Sequence, residues 1–260
     1  MADSEEWVEG EIKLNIGGRP LELRVSVPAK STPVRRMLPV FQEMSNAFVA
    51  LSAKDAEMAG KEISCKAGCG ACCRQAVPLA EPEAYAIAKL VSEMPEPRRS
   101  EIRERFRKAR EHFEGIDWFS RLDEAEGLSS KERNDLVIEY FREGVPCPFL
   151  EEESCSIHER RPLACREYLV TSPAEKCAEL NGEEVEVVPL IIKPAAAMCA
   201  SVKTGDLGSV TNFVPMVRAL EWVEKHAEDR TERTGEEWMA VFFRNLTKSE
   251  IPGFGGRPYS

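Results

Sequence analysis

The sequence predicts a mainly α-helical fold with small β elements, an α+β arrangement. Apolar residues recur every three or four positions in several segments of the 260-residue chain, as they do in amphipathic helices. Strict alternation of apolar and polar residues is found over residues 10–28, as in paired strands. Two segments, 65–73 and 144–180, are rich in cysteine and follow neither period. We therefore expect an N-terminal β-hairpin, a helical body and an irregular, cysteine-rich centre.

The first predicted elements are the hairpin over residues 10–28 and a helix over about residues 39–58. Gly17 and Gly18 separate the two strands and can adopt the positive φ of a tight turn. A lone hairpin is only marginally stable. The helix carries a stripe of four apolar residues, and it therefore offers a surface on which the hairpin is expected to pack.

Five further helices are predicted from helical spacing and from start signals. Ser129 with Glu132, and Thr234 with Glu237, have the spacing of a capping box. Pro82 stands where the first turn of a helix tolerates proline. The predicted helices begin at Glu81, span about 98–115, run from Ser129 to about 143, and span about 215–228 and 235–247.

Three regions are predicted along the chain, and we expect them to form one compact unit. Residues 1–58 hold the N-terminal hairpin and helix. Residues 59–200 hold the cysteine-rich domain, with a short buried strand over 185–191. Residues 201–260 hold the C-terminal helical pair and a tail that is rich in glycine and proline, which we expect to be flexible.

Composition narrows the classes of function. The formal net charge of -10 argues against a nucleic-acid partner, because phosphate binding needs a basic face. No apolar run approaches the roughly 20 residues that span a bilayer, and the acidic N-terminus lacks the apolar stretch of a secretory signal. We therefore expect a cytoplasmic protein without membrane contact. In that compartment thiols stay reduced, so cysteines favour metal binding or redox catalysis over disulfides.

Eight of the nine cysteines are predicted to bind metal. Four of them fall within nine residues, and four more follow after a long helical gap. Thiols at such close spacing are not explained as ordinary small core residues, and the two sets are expected to meet in space. Coordination by four thiolates is usual for both structural zinc and cubane iron–sulfur clusters. The predicted ligands are Cys65, Cys69, Cys72, Cys73, Cys147, Cys155, Cys165 and Cys177.

Cys72 and Cys73 leave the number of metal centres open. Neighbouring side chains point well apart in any regular backbone. The pair therefore suits two adjacent centres, or one multinuclear cluster with one cysteine in reserve, and counting does not assign each cysteine to a centre. Five cations near in sequence are expected to offset the thiolate charge: Lys66, Arg74, Arg160, Arg161 and Arg166.

The remaining cysteine and the three histidines are interpreted as structural. Cys199 lies among small apolar residues, which indicates a packed helix. His158 follows Cys155 at the spacing of a Cys-x2-His zinc pair, but a surface histidine, or one beside the ligands, is the favoured interpretation. His112 and His226 lie in charged helices and are expected to be solvated.

Three motifs carry a resemblance to a known family: Cys65-x3-Cys69-x2-Cys72-Cys73, then Cys147-Pro-Phe-Leu, then the run from Cys155 to Cys165. They resemble the YkgJ-like cysteine-cluster family, also described as a zinc- or iron-chelating domain or as Fe–S-cluster-containing proteins. The resemblance covers about residues 60–180 and implies metal binding. The family usually has an aromatic residue where His158 stands. A related cysteine motif occurs in flagellin lysine methylases, which are enzymes.

The leading functional hypothesis is a cytosolic protein that carries one or more iron–sulfur clusters of the 4Fe-4S type on the eight cysteines, with a redox or structural role. One alternative is a structural zinc-binding module. Another is an S-adenosylmethionine-dependent enzyme like the protein lysine N-methylases. The spacing C-x3-C-x2-C is also that of the cluster-binding motif in radical S-adenosylmethionine enzymes. Against it, Ala71 replaces the aromatic residue usual before the third cysteine, and no strand–helix alternation of a barrel follows. A metal ion or cluster is the one partner that the sequence predicts.

Overall fold

The computed structural model describes residues 6–16, 19–124, 128–178, 185–190, 192–202 and 213–246. These residues are mainly helical with small antiparallel strand pairs, which confirms the predicted fold class. β1 (Trp7–Ile16) and β2 (Arg19–Pro28) form the predicted hairpin, with Trp7 opposite Pro28. The predicted turn, residues 17 and 18, lies outside the described residues.

Nine α-helices lie within the described ranges, and five of them begin at or within one residue of a predicted start. Both predicted capping boxes are present. Ser129 Oγ accepts the N–H of Glu132 at 3.3 Å, and Thr234 Oγ1 accepts the N–H of Glu237 at 3.3 Å. In the described part of the chain, no helix combines the length and the apolar character needed to cross a membrane. The helices are α1 (Leu38–Met58), α2 (Glu81–Ser92), α3 (Arg98–Gly115), α4 (Trp118–Asp123), α5 (Ser130–Arg142), α6 (Leu163–Arg166), α7 (Pro194–Ser201), α8 (Ala219–Lys225) and α9 (Gly235–Leu246).

The structure also has three short antiparallel strand pairs, each with two residues per strand. Two of them join the N-terminal half to residues 213–246, and the third is a small hairpin inside the second cysteine-rich segment. The pairs are β3 (Thr32–Pro33) with β8 (Glu232–Arg233), β4 (Pro78–Leu79) with β7 (Val214–Pro215), and β5 (Leu150–Glu151) with β6 (Ser154–Cys155).

The N-terminal hairpin, α1, α7 and α9 share one hydrophobic core. The rings of Phe41 in α1 and Phe242 in α9 stack with their centroids 4.3 Å apart. Met198 of α7 is fully buried in the same cluster, and the half-buried Leu21 and Leu23 of β2 pack against it. This core supplies the packing that a lone two-stranded hairpin lacks.

Two further cores hold the helices that separate the cysteine-rich segments. One contains Ile87 of α2 and Trp222 of α8. The other contains Phe113 of α3 and Tyr140 of α5, whose rings stack at 3.9 Å between centroids. These packed helices are a scaffold that can bring the two segments back together.

The predicted strand over residues 185–191 is wrong. In residues 185–190 the structure has an isolated bridge, Val170 opposite Val187. The ladder does not extend because the partner segment bends at residues 171 and 172. Residue 191 lies outside the described residues.

The predictions for the C-terminal region are corrected in part. The helix predicted over 215–228 is α8, which is shorter because Val214 and Pro215 pair with β4 first. His226 is half-buried, not solvated, and its ring stacks on that of Trp222 at 4.4 Å. The helices α4 and α6 have no counterpart in the sequence prediction, since six and four residues are too few to show a helical period. The predicted flexible tail, residues 251–260, lies outside the described residues.

Candidate metal centre

The first cysteine-rich segment is a loop that contains a 3₁₀ turn, Ala71–Arg74. Gly68 has a φ of +86°, a conformation that favours glycine. Gly70 allows a close approach, because a Cβ at this position would lie 2.4 Å from Glu153 Oε2 and 2.8 Å from Leu150 Cδ1. The segment is therefore packed against the β5–β6 hairpin of the second cysteine-rich segment.

One side of the 3₁₀ turn is joined to the start of the second segment. The N–H of Cys147 donates to the carbonyl oxygen of Cys73 at 2.7 Å. Arg74 donates two hydrogen bonds to Glu153 in the β5–β6 turn, at 2.7 and 2.9 Å. These contacts place Cys147 and the hairpin that carries Cys155 beside Cys73.

The other side of the first segment meets the end of the second. The N–H of Ser64 donates to the carbonyl of Val170 at 3.0 Å, and the N–H of Val170 donates to Cys65 Sγ at 3.4 Å. The 3₁₀ turn that carries Cys72 and Cys73 also packs against a second 3₁₀ turn, Ala174–Ala178. That second turn brings Cys177 to the first segment.

The thiols of the eight predicted ligands form two sets by their electrostatic interactions, and Cys72 and Cys73 lie between the two sets. Electrostatic interactions connect the members within each set, and Cys72 takes part in both. The thiol of Cys73 interacts with Cys147 and Cys165 of one set. We name Cys65, Cys69 and Cys177 the first thiol group, and Cys147, Cys155 and Cys165 the second thiol group.

Burial raises the pKa of several of these thiols. The pKa of Cys147 rises to about 12 and that of Cys177 to about 11, chiefly because burial disfavours the thiolate. Burial raises the pKa of Cys165 as well. The hydrogen bond between Cys72 and Cys73 lowers the pKa of Cys72 and raises that of Cys73. Metal binding therefore has to displace protons from the buried thiols.

Three of the five predicted cations lie beside the thiols. Arg161 interacts electrostatically with Cys72 and with members of both thiol groups. Arg74 and Arg166 each interact with the cysteine that precedes them in sequence. Lys66 and Arg160 have exposed side chains.

Cys199 and His158 are placed as the sequence indicates. Cys199 lies in α7, and its electrostatic neighbours are Glu83 and Glu167. His158 is exposed in a 3₁₀ turn between Cys155 and Cys165. His112 is also exposed and accepts or donates a hydrogen bond with Glu143 at 2.7 Å.

Two tyrosines near the thiols are missing from the sequence prediction of the site. Tyr168 interacts with Cys177, Cys72 and Cys65, and burial raises its pKa to about 12. Tyr140 is buried and lies near Cys147. The position of Tyr168 three residues after Cys165 could have indicated its place near the thiols. Tyr140, in contrast, has the sequence pattern of an ordinary core residue of a helix.

The donor set suits a metal, although the side chains are not drawn together at one point. Among the described residues, no group of three or more His, Cys, Asp or Glu side chains is close enough to hold a metal ion as it stands. Eight thiols nevertheless interact within one neighbourhood, and a cysteine side chain moves its sulfur by rotation about a single bond, χ1. The chemistry of these donors, soft sulfur, fits zinc and iron–sulfur clusters.

Comparison with known families supports this chemistry. Residues 64–184 match the family model described as "Putative zinc- or iron-chelating domain". The match spans both cysteine-rich segments, confirms the resemblance that the motifs predict, and supports metal binding by this part of the chain. Searches of curated proteins and of solved structures returned no match.

Proposed function

We propose that this chain is a cytoplasmic metalloprotein that holds iron–sulfur clusters on two sets of four cysteines. The observation that carries the proposal is the docking of the 3₁₀ turn Ala71–Arg74 between both ends of the second cysteine-rich segment. Cys72 would complete the first thiol group and Cys73 the second. Each set then has the four thiolates that a cubane cluster takes.

The surroundings of the thiols are suited to an iron–sulfur cluster. Backbone N–H groups of Val170, Phe149 and Ile157 donate to the sulfurs of Cys65, Cys147 and Cys155, respectively. Hydrogen bonds to cluster sulfurs and burial are two of the features by which proteins adjust a cluster's reduction potential. A bound cluster would supply one-electron transfer at this position.

The decisive experiment is anaerobic purification of the full chain, followed by assays of iron and acid-labile sulfide and a visible spectrum. If two cubane clusters are bound, we expect about eight iron atoms and about eight sulfide ions per chain. The visible spectrum should then show broad absorption from sulfur-to-iron charge transfer. A preparation with neither iron nor sulfide contradicts the proposal.

Structural zinc is the second candidate, because four thiolates also form a closed tetrahedral zinc site and the matched family description names zinc beside iron. It predicts a colourless protein with about two zinc ions per chain. The same metal assay and spectrum separate this candidate from the first.

A further inference from the structure

Arg161 differs from the other cations near the cysteines because its Nε is buried without a partner. Among the described residues, no acceptor lies within hydrogen-bond reach of this atom. A buried N–H group without an acceptor is unfavourable, because the lost hydration is not replaced. Such a donor is rare in a native structure and calls for a specific explanation.

The backbone of Arg161 is fixed between two helices. Its carbonyl oxygen accepts hydrogen bonds from Gln42 of α1 at 3.4 Å and from Arg166 of α6 at 2.9 Å. Pro162 follows directly, and Arg161 has the extended backbone, φ -64° and ψ 148°, that a residue before proline favours. The unpaired Nε therefore belongs to a residue whose main chain is fixed by hydrogen bonds from both α1 and α6.

The neighbouring cations are already paired. The guanidinium of Arg74 binds the carboxylate of Glu153. The guanidinium of Arg166 donates to Asn46 at 3.0 Å and to two backbone carbonyls. Arg161, in contrast, has three thiols of the centre as electrostatic neighbours, Cys65, Cys72 and Cys155.

We propose that Arg161 is a positioning residue of the cysteine centre, which donates its Nε–H to a sulfur of the bound metal site and offsets the negative charge of both thiol groups. This inference rests on the proposed metal-binding function. Thiolate and sulfide sulfurs accept hydrogen bonds, and residues that support metal ligands in this way typically change metal affinity about 10- to 100-fold when replaced.

The test compares Arg161→Gln with Arg160→Gln in the full chain purified without oxygen. Arg160 is the matched control, since the same change is made one residue away on an exposed side chain. The metal retained by each protein is measured against rising concentrations of a strong chelator. We expect Arg161→Gln to release metal at about 10- to 100-fold less chelator than the wild type, and Arg160→Gln to match the wild type.

A third variant, Arg161→Lys, separates charge from packing. Lysine keeps the positive charge but lacks the guanidinium fork, so we expect it to retain metal better than Arg161→Gln. If the metal proves to be a cluster, its midpoint potential should become more negative in Arg161→Gln, because a cation that favours the added electron is lost. Far-UV circular dichroism checks that each variant is folded.

Two results overturn the inference while the proposed function stands. One is metal retention and potential in Arg161→Gln equal to those of Arg160→Gln. The other is an Arg161→Lys variant as impaired as Arg161→Gln, because the positive charge would then contribute nothing to metal retention. A wild-type chain that holds no metal contradicts the proposed function itself, and this inference with it.

Discussion

The N–H of Cys147 donates a hydrogen bond to the carbonyl oxygen of Cys73 at 2.7 Å. This bond joins the last cysteine of the first segment to the first cysteine of the second. The chain between them contains α2, α3, α4 and α5, which are packed in two hydrophobic cores. Those cores already fix the path of the chain. The entropy cost of closing so long a loop is therefore offset by the packing of the helices and not by this single hydrogen bond.

The two thiol groups predict that ligand replacements remove metal one centre at a time. We expect Cys65→Ser to lose the metal of the first group and Cys165→Ser that of the second, each to about half of the wild-type content. Metal assays of the purified variants measure this. Cys199→Ser is the control and should keep the full metal content, since the electrostatic neighbours of Cys199 are Glu83 and Glu167. Complete loss of metal in both single variants would instead indicate one shared centre.

Metal removal should loosen the cysteine-rich segments and leave the N-terminal core intact. Ligand bonds couple metal loading to folding, and residues 64–75 and 147–178 have little regular structure of their own. The core of α1, α7 and α9 depends on apolar contacts such as Phe41 on Phe242. Hydrogen exchange before and after chelation is the measurement. Equal loss of protection in α1 and α9 would contradict this separation.

Replacement of Gly70 by alanine should weaken the contact between the two segments. The new Cβ would lie 2.8 Å from Leu150 Cδ1 and 3.1 Å from the backbone Cα of Glu153, so the hairpin must shift. Such crowding typically destabilises a protein by about 1–3 kcal/mol, and we expect reduced metal loading as well. Denaturant unfolding and a metal assay test both effects.

Gly115→Ala is the matched control for Gly70→Ala. A Cβ at Gly115 meets nothing within 4 Å, at the end of α3. This variant should unfold at a denaturant concentration no lower than that of the wild type and bind the wild-type amount of metal. If the two alanine variants behave alike, the close approach at Gly70 is not what holds the segments together.

The buried carboxyl group of Glu83 should make the stability of the protein depend on pH. Its oxygens accept the N–H groups of Leu163 at 2.8 Å and Ala80 at 3.0 Å, yet burial raises its pKa from 4.5 to about 7. Between these values the folded chain keeps a proton that the unfolded chain has lost. The free energy of unfolding therefore falls as pH rises from 4.5 to about 7, by at most about 1.4 kcal/mol per pH unit.

Glu83→Gln removes this titration, so its free energy of unfolding should fall less with pH than that of the wild type. Urea unfolding at several pH values between 5 and 8 measures the difference between the two proteins. Glu93→Gln, which changes an exposed glutamate at the end of α2, should follow the wild type. Parallel pH profiles of Glu83→Gln and the wild type would show that Glu83 does not carry the effect.

Local signals were sufficient for most of the helices. The capping boxes at Ser129 and Thr234 and the apolar stripe of α1 depend on residues three or four positions apart, and such interactions are present in the sequence itself. The strand predicted near Val187 failed for the opposite reason. A strand needs a partner, and its partner here bends after a single bridge.

By itself the sequence indicated metal-binding chemistry, because eight cysteines in two segments offer sulfur donors whatever the fold. The proposed division of the cysteines into two groups needs the tertiary structure, since it depends on which backbone segments dock on each side of Cys72 and Cys73. The difference between Arg160 and Arg161 has the same origin. The two are identical and adjacent in sequence, and only burial beside the thiols distinguishes the second from the first.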